Sequence, residues 1–216
     1  MAGIKVSMEV LSQESPLPQE DKEVLLRVIN EIDRITAMLK GLLSYARPPK
    51  PKLIPLDVNQ LLEGIIKSAR YSLRSPKYMV KAQDRQIEFV KDFNPDLPHI
   101  IADPGQLQQV FLNLTLNAVD AIYSASESLG IITIKTRQTP ENKVEISIAD
   151  NGKGIDNRSL EEIFKPFFTT KSQGTGLGLA ISKRLVEQHH GGTIIAANNR
   201  GGDGLTFTLS FPVDGG

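Results

Sequence analysis

An α+β sandwich, with helices on one face of a sheet and part of a helical hairpin ahead of it, is predicted by two separate hydrophobic rhythms. Ile131 to Thr136 and Val144 to Ala149 alternate apolar and polar residues, and Thr193 to Ala197 and Leu205 to Phe211 finish the chain as strands. Period two marks strands with one buried face. Stretches with apolar residues three and four apart lie elsewhere in the chain, so strands cluster and helices stand apart from them.

Taken in order, the first element runs from about Glu20 to Arg47, where Leu25, Val28, Ile32, Ile35, Leu39, Leu42 and Ala46 form a heptad seam. Ile4, Met8 and Leu11 share a face on a shorter segment before it, and Ser15-Pro16-Leu17-Pro18 separates the two. Residues 1–47 read as a helical hairpin too thin to bury its own seam. A second copy of the chain is the simplest cover, and packing against the rest of the chain is the alternative. Arg47-Pro48-Pro49-Lys50-Pro51-Lys52 cannot continue a helix, so residues 48–55 are a linker and a domain boundary.

The second domain spans residues 56–214. Asp57 caps a helix that reaches about Leu73, and Ser75 to Asp84 is polar and poorly patterned. Ile87, Phe89 and Phe93 suggest a strand, and His99 to Ala102 a short one. Asp103-Pro104 starts a helix that runs to about Ser126. After the strand ending at Ala149 comes a loop rich in Gly, Lys and Phe, then a helix from Leu177 to His189 closed by Gly191-Gly192.

Composition narrows the function classes. Lys plus Arg equals Asp plus Glu at 25 each, and this balance gives no support for general nucleic-acid or anionic-membrane binding. With no cysteine, disulfides and thiolate chemistry are excluded, which fits a reducing compartment. No apolar run approaches the roughly 18 to 20 residues that span a bilayer, and the N-terminus lacks a signal-peptide pattern. The expectation is a cytoplasmic chain that makes no membrane contact itself, with any anchor of a larger parent lying upstream.

Four blocks carry chemistry. On the helix from Asp103, Asn113, Asn117 and Asp120 lie four and then three apart, which puts them on one stripe beside Val110, Leu114, Ala118 and Ala121. An amide oxygen is a hard ligand suited to Mg²⁺ together with phosphate oxygens. Taken alone, the stripe reads more simply as a solvated face or a satisfied buried amide. Asp150-Asn151-Gly152-Lys153-Gly154-Ile155 puts a carboxylate at a strand end, able to accept from an exocyclic amine such as adenine's, beside glycines that admit close approach. An ordinary turn is the other reading of that block. Gly174-Thr175-Gly176-Leu177-Gly178-Leu179 runs into a helix, a phosphate-binding layout or else a glycine hinge. It is neither a P-loop nor a dinucleotide fingerprint. Between them, Ile163-Phe164-Lys165-Pro166-Phe167-Phe168-Thr169-Thr170-Lys171 suggests a lid docked by aromatic anchors, with Lys171 placed to meet a phosphate; a loop tucked into the core, with Lys171 solvated, is the plainer reading.

Together and in this order, the blocks resemble one family. QQVFLNLTLNAVDAI is similar to the asparagine motif of sensor histidine kinases, DNGKGI to their first glycine motif, IFKPFFTTK to their phenylalanine motif, and GTGLGLAISKRLVEQHHGG to their second glycine motif. The family lies within the ATPase superfamily of gyrase, Hsp90, histidine kinases and MutL, and the wording here is most similar to the nitrogen-regulator type. EIDRITAMLKGLLSYARP also resembles the second dimerisation helix.

The resemblance implies a Bergerat-type fold, a two-layer α/β sandwich with a mixed sheet, that binds ATP and Mg²⁺. Asn117 would ligate the metal and Asn113 support it or the phosphates. Asp150 would bind the adenine amine, with Gly152, Gly154 and Ile155 shaping the pocket. Phe164 belongs to the lid, and Lys171, Gly174, Thr175, Gly176, Leu177 and Gly178 would meet the phosphates. Lys165 stands where the family often has Glu. Leu205 stands where it often has Thr, so Thr206 is the candidate substitute in the base pocket.

The implied reaction moves the γ-phosphoryl of ATP to a histidine, for relay to an aspartate of a response-regulator receiver domain, in a homodimer held by the hairpin. Only His99, His189 and His190 occur here, none in the acceptor's context, so the expectation is a fragment that does not phosphorylate itself. The rival expectation is a nucleotide-binding regulatory module without transfer. A gyrase- or chaperone-like ATPase is disfavoured because Asn113 stands where those relatives carry a water-activating Glu.

Overall fold

The computed structural model describes residues 18–46, 49–75, 78, 86–125, 129–171, 174–199 and 203–213. The first segment of the expected hairpin, Ile4 to Leu11, and the break at Ser15 to Leu17 lie outside them. The chain divides into two compact units, Met1–Pro49 with Phe167–Leu177, and Lys50–Pro166 with Gly178–Gly216.

In the first unit, α1 spans Gln19–Ala46. Its seam is half-buried at Leu25, Val28 and Ile32, whereas Ile35, Leu39 and Leu42 remain more than 40 % exposed. An apolar stripe that size is the surface a second helix covers.

The second unit is a two-layer sandwich. Its elements are β1 (Ile54–Leu56), α2 (Val58–Ser72), β2 (Gln86–Phe93), β3 (Ile100–Ala102), α3 (Pro104–Tyr123), β4 (Leu129–Gln138) and β5 (Lys143–Asp150). After them come α4 (Asn157–Glu162), α5 (Gly178–Arg184), β6 (Thr193–Asn198) and β7 (Leu205–Pro212). The five-stranded sheet has the order β2-β4-β5-β7-β6. Only the β2–β4 pair is parallel, so the sheet is mixed. β1 and β3 form a separate antiparallel pair.

Alternation positions the core. Ile132 and Ile134 of β4, Val144, Ile146 and Ile148 of β5, and Phe207, Leu209 and Phe211 of β7 are buried. α3, with Val110, Phe111, Leu114 and Ala118 buried, packs on β4 and β5, and α2 packs beside α3. The other face is wet and charged, with Lys135 paired to Asp92 and Arg137 to Glu145. One covered and one solvated face is what alternating antiparallel strands require.

Both predicted aspartate caps form. Asp57 accepts from Gln60 N–H at 3.0 Å and Asp103 from Gln106 N–H at 2.9 Å. Three details differ from the sequence expectation. The end of the expected linker, Ile54 and Pro55, forms a strand with Leu56, because the three residues pair with Ala102, Ile101 and Ile100 of β3. The loop after Asp150 contains α4, capped by Asp156. The expected helix from Leu177 to His189 is α-helical only to Arg184 and then winds as a π turn over Leu185–His189.

Candidate functional site

Asp150 ends β5 on the core-facing side, in line with Val144, Ile146 and Ile148, and is 4 % exposed. A carboxylate does not replace a core aliphatic residue without polar partners. One partner is Gly152, whose N–H donates to Oδ1 at 2.9 Å. Gly152 itself lies flat on the end of α3, where an added Cβ would come within 2.6 Å of the Ala121 carbonyl carbon. The glycine therefore brings the strand-end carboxylate against the C-terminal half of the asparagine helix.

On that helix the Asn113 Nδ2 donates to Ser182 Oγ of α5 at 3.0 Å. This bond holds the Asn113 amide against α5. Oδ1 faces Gly178, where a Cβ would lie 2.6 Å away. Asn117, one turn on, is half-buried. Asp120, on the same stripe, takes a hydrogen bond from Tyr78. Burial first, and this carboxylate second, push the Tyr78 phenol well above its ordinary range, so it stays a donor. Phe164 packs edge-on to Phe207 of β7 at 6.3 Å, with the Lys183 ammonium over its ring.

The β6–β7 end closes the other side of Asp150. Asn199 Nδ2 donates to the Asp150 main-chain oxygen at 2.7 Å, and Asn199 Oδ1 accepts from the Thr206 hydroxyl at 2.6 Å. Strand alternation turns Thr206 to the sheet face opposite Asp150, while Leu205 shares the buried face. Thr206, the candidate substitute in the base pocket, therefore reaches the Asp150 strand end through Asn199. Asn198 grips Ile155 on both main-chain groups, accepting from its N–H at 3.0 Å and donating to its oxygen at 2.5 Å. Gly154 lies inside that stretch at a φ of 67°.

Lys171, Gly174, Thr175, Gly176 and Leu177 belong to the other unit. There, Phe167 and Gly176 close the neck of a loop, with Phe167 N–H donating to Gly176 O at 2.9 Å. Both residues have a φ of 67°, which is unusual for phenylalanine. A side chain at Gly176 would collide with the Phe167 main chain. Phe167 is exposed, so of the first two lid phenylalanines only Phe164 has an aromatic neighbour.

Two histidines tie the end of the π turn to the start of α3. His190 is buried; its Nδ1 donates to Leu185 O at 2.8 Å and its Nε2 accepts from Asp103 N–H at 3.0 Å. Burial, opposed by the Leu185 carbonyl, lowers its affinity for a proton. His189 meets Gln106 at 2.8 Å. Burial acts to raise the Asp103 carboxyl, but donation from the N–H groups of Lys52, Gln106 and Gly105 outweighs it and holds the group below its usual range. Ser182 lies within the second glycine motif but has no role assigned by it, and sequence motifs pointed to none of Asn198, Asn199 or Gly204; for these the Asn-Asn pair after a strand was the available signal.

Comparison with known proteins agrees with the fold. Residues 102–215 match the family described as histidine kinase-, DNA gyrase B-, and HSP90-like ATPase. Sensor histidine kinase ZraS of Klebsiella oxytoca is 36% identical over 215 residues, which cover 100% of this chain and 43% of ZraS. The chain thus spans less than half the length of the curated relatives it matches. The nucleotide-free catalytic domain of histidine kinase ThkA superposes with a TM-score of 0.62 at 29% identity, over 76% of this chain and 97% of that one. ThkA in complex with response regulator protein TrrA gives 0.71 at 26% identity, over 98% of this chain and 56% of that one. This chain belongs to the histidine kinase-, DNA gyrase B-, and HSP90-like ATPase family, and the relatives it is similar to are sensor histidine kinases.

Proposed function

We propose that residues 56–214 bind ATP and donate its γ-phosphoryl to a histidine outside this chain, for relay to a receiver-domain aspartate of a response regulator. The observation that carries this reading is the inward-facing Asp150 carboxylate, seated by Gly152 on the helix that bears Asn113 and Asn117. A buried acceptor there suits an exocyclic amine, and the amides a turn and more away suit the charged end of a nucleotide. Lys171 and the loop Gly174 to Gly176 are the proposed phosphate contacts of the lid, and Gly178 lies beside Asn113.

The residues fit Mg²⁺ as a shared ligand of nucleotide and protein. Among the described residues no group of three or more His, Cys, Asp and Glu could hold a metal alone. Asn117, supported by the oriented amide of Asn113, would contribute oxygen, leaving the remaining positions to phosphate and water. The ion would neutralise phosphate charge; the chain's own part is to position the nucleotide and exclude competing geometry.

Neither His189 nor His190 is a candidate acceptor, since both are tied to side or main chains of the fold. The exposed stripe on α1 supports a homodimer through the hairpin, with residues 48–55 as its link to the ATP-binding domain. Relatives of this chain include a histidine kinase solved with its response regulator, which supports the same class of partner. No helix among the described residues is long and apolar enough to cross a membrane. We place the chain in the cytoplasm, where ATP and receiver domains are found.

The test mixes the chain with Mg²⁺, labelled ATP and a separately made dimerisation hairpin carrying the acceptor histidine. Acid-labile, base-stable label on that histidine, abolished by Asn117→Ala, is the expected result. Nucleotide binding without transfer to a docked hairpin would overturn the kinase reading in favour of a regulatory module.

A further inference from the structure

Two adjacent carboxamides at the end of β6 do more than close a hairpin. Between Asp150 and Ile155 the chain contains Gly152 and Gly154, and such backbone has little stiffness of its own. Its two ends are held from outside. Asn199 Nδ2 donates to the Asp150 oxygen at 2.7 Å and to the Asp203 oxygen at 3.1 Å, while its Oδ1 takes the Thr206 hydroxyl. Asn198 satisfies both main-chain groups of Ile155, as a neighbouring strand would. These bonds span 49 and 43 residues of sequence, so no local propensity could replace them.

We infer that Asn198 and Asn199 are positioning residues that set the direction of the Asp150 carboxylate, and through it the selection of a nucleobase carrying an exocyclic amine. The inference rests on the nucleotide reading above. Both positions demand a group with a donor and an acceptor on one plane, which among side chains of this size only asparagine supplies. Aspartate has the same shape but no N–H. At position 198 it would turn an oxygen toward the Ile155 oxygen; at 199 it would do so toward the Asp150 oxygen. Each replacement would push the glycine stretch away from β6 and rotate the carboxylate at its start. The phosphate end of a nucleotide, which this inference assigns to other residues, would be unaffected.

The experiment compares the full chain with Asn198→Asp and Asn199→Asp. Dissociation constants are measured for ATP, for purine riboside triphosphate, which lacks the exocyclic amine, and for inorganic tripolyphosphate as a competitor. Wild type should prefer ATP to the amine-free analogue. Each variant should lose about fivefold of that preference, the worth of one ordinary hydrogen bond, with tripolyphosphate affinity unchanged. If an aspartate variant does not fold, Asn198→Thr and Asn199→Ser retain a hydroxyl partner and should show a smaller loss of the same kind. Equal weakening of all three ligands, or an unchanged preference in folded variants, overturns the inference and leaves the nucleotide reading standing. Failure of wild type to bind ATP, or to prefer it, overturns the nucleotide reading itself.

Discussion

The main-chain oxygen of Asp150 occupies the space that a Cβ on Gly204 would need. Gly204 also holds a φ of 89°, a conformation that L side chains rarely adopt. Two penalties therefore fall on the same substitution. Gly204→Ala should destabilise the fold by about 1–3 kcal/mol from backbone strain, with the displaced Asp150 adding to it. A thermal melt gives the first quantity. A titration with ATP at a temperature where the variant is folded should show weaker binding, because the strand end that carries the carboxylate has moved.

Asp150→Asn separates recognition from folding. The isostere keeps an oxygen for the Gly152 N–H and removes a buried charge, so melting temperature should hold or rise. A hydrogen bond from an amine to a charged acceptor contributes about 1.5–3 kcal/mol, hence ATP affinity should fall by at least about tenfold. Unchanged affinity would remove Asp150 from the base pocket.

Much of this was readable before any coordinates. Asp57 and Asp103 announced their helices because a cap acts within three residues, and the period of two marked β4 and β5. Asp150 was legible as a strand-end carboxylate, though not as a core-facing one. The rest depends on partners remote in sequence. Ile54 and Pro55 look like linker until β3 supplies their ladder. The facing of Thr206 follows only from its register with Ala149, one residue before the carboxylate. Asn198 and Asn199 carry no sequence signal of their partners, because Ile155 and Asp150 lie 43 and 49 residues away.

Gly178→Ala sets two local effects against each other. Alanine in place of glycine at a helical position favours the helix by up to about 1 kcal/mol. The new Cβ, however, would lie 2.6 Å from Asn113 Oδ1, and the Asn113 side chain must swing away or break its bond to Ser182. Since a side-chain end moves more easily than backbone, the fold should keep its melting temperature while Mg²⁺-dependent ATP binding weakens. Ser182→Ala should give a milder version, leaving space for Asn113 but not orienting it. Binding measured with and without Mg²⁺ distinguishes these from a general loss.

His190 predicts how stability responds to acid. Its Nε2 accepts from Asp103 N–H, so protonation there would oppose two donors, and its Nδ1 is committed to Leu185 O. Burial lowers its folded pKa below the unfolded value of 6.5. The groups facing it are His189, which also disfavours the cation, and Asp103, which favours it more weakly than burial opposes it. Between the folded and unfolded values the unfolded chain binds more protons. The stabilisation is therefore full above 6.5 and is lost as pH falls from there toward the folded pKa. For a single titrating group the slope inside that window is capped at about 1.4 kcal/mol per pH unit. His190→Gln keeps one donor and one acceptor and does not titrate, so its melting curve should be flatter with pH across the same window, even if it starts lower. Parallel curves for the two proteins would show that His190 is not the group responsible. Asp103 titrates below this window because its carboxyl is held under 3.8, so its contribution is lost only at stronger acidity.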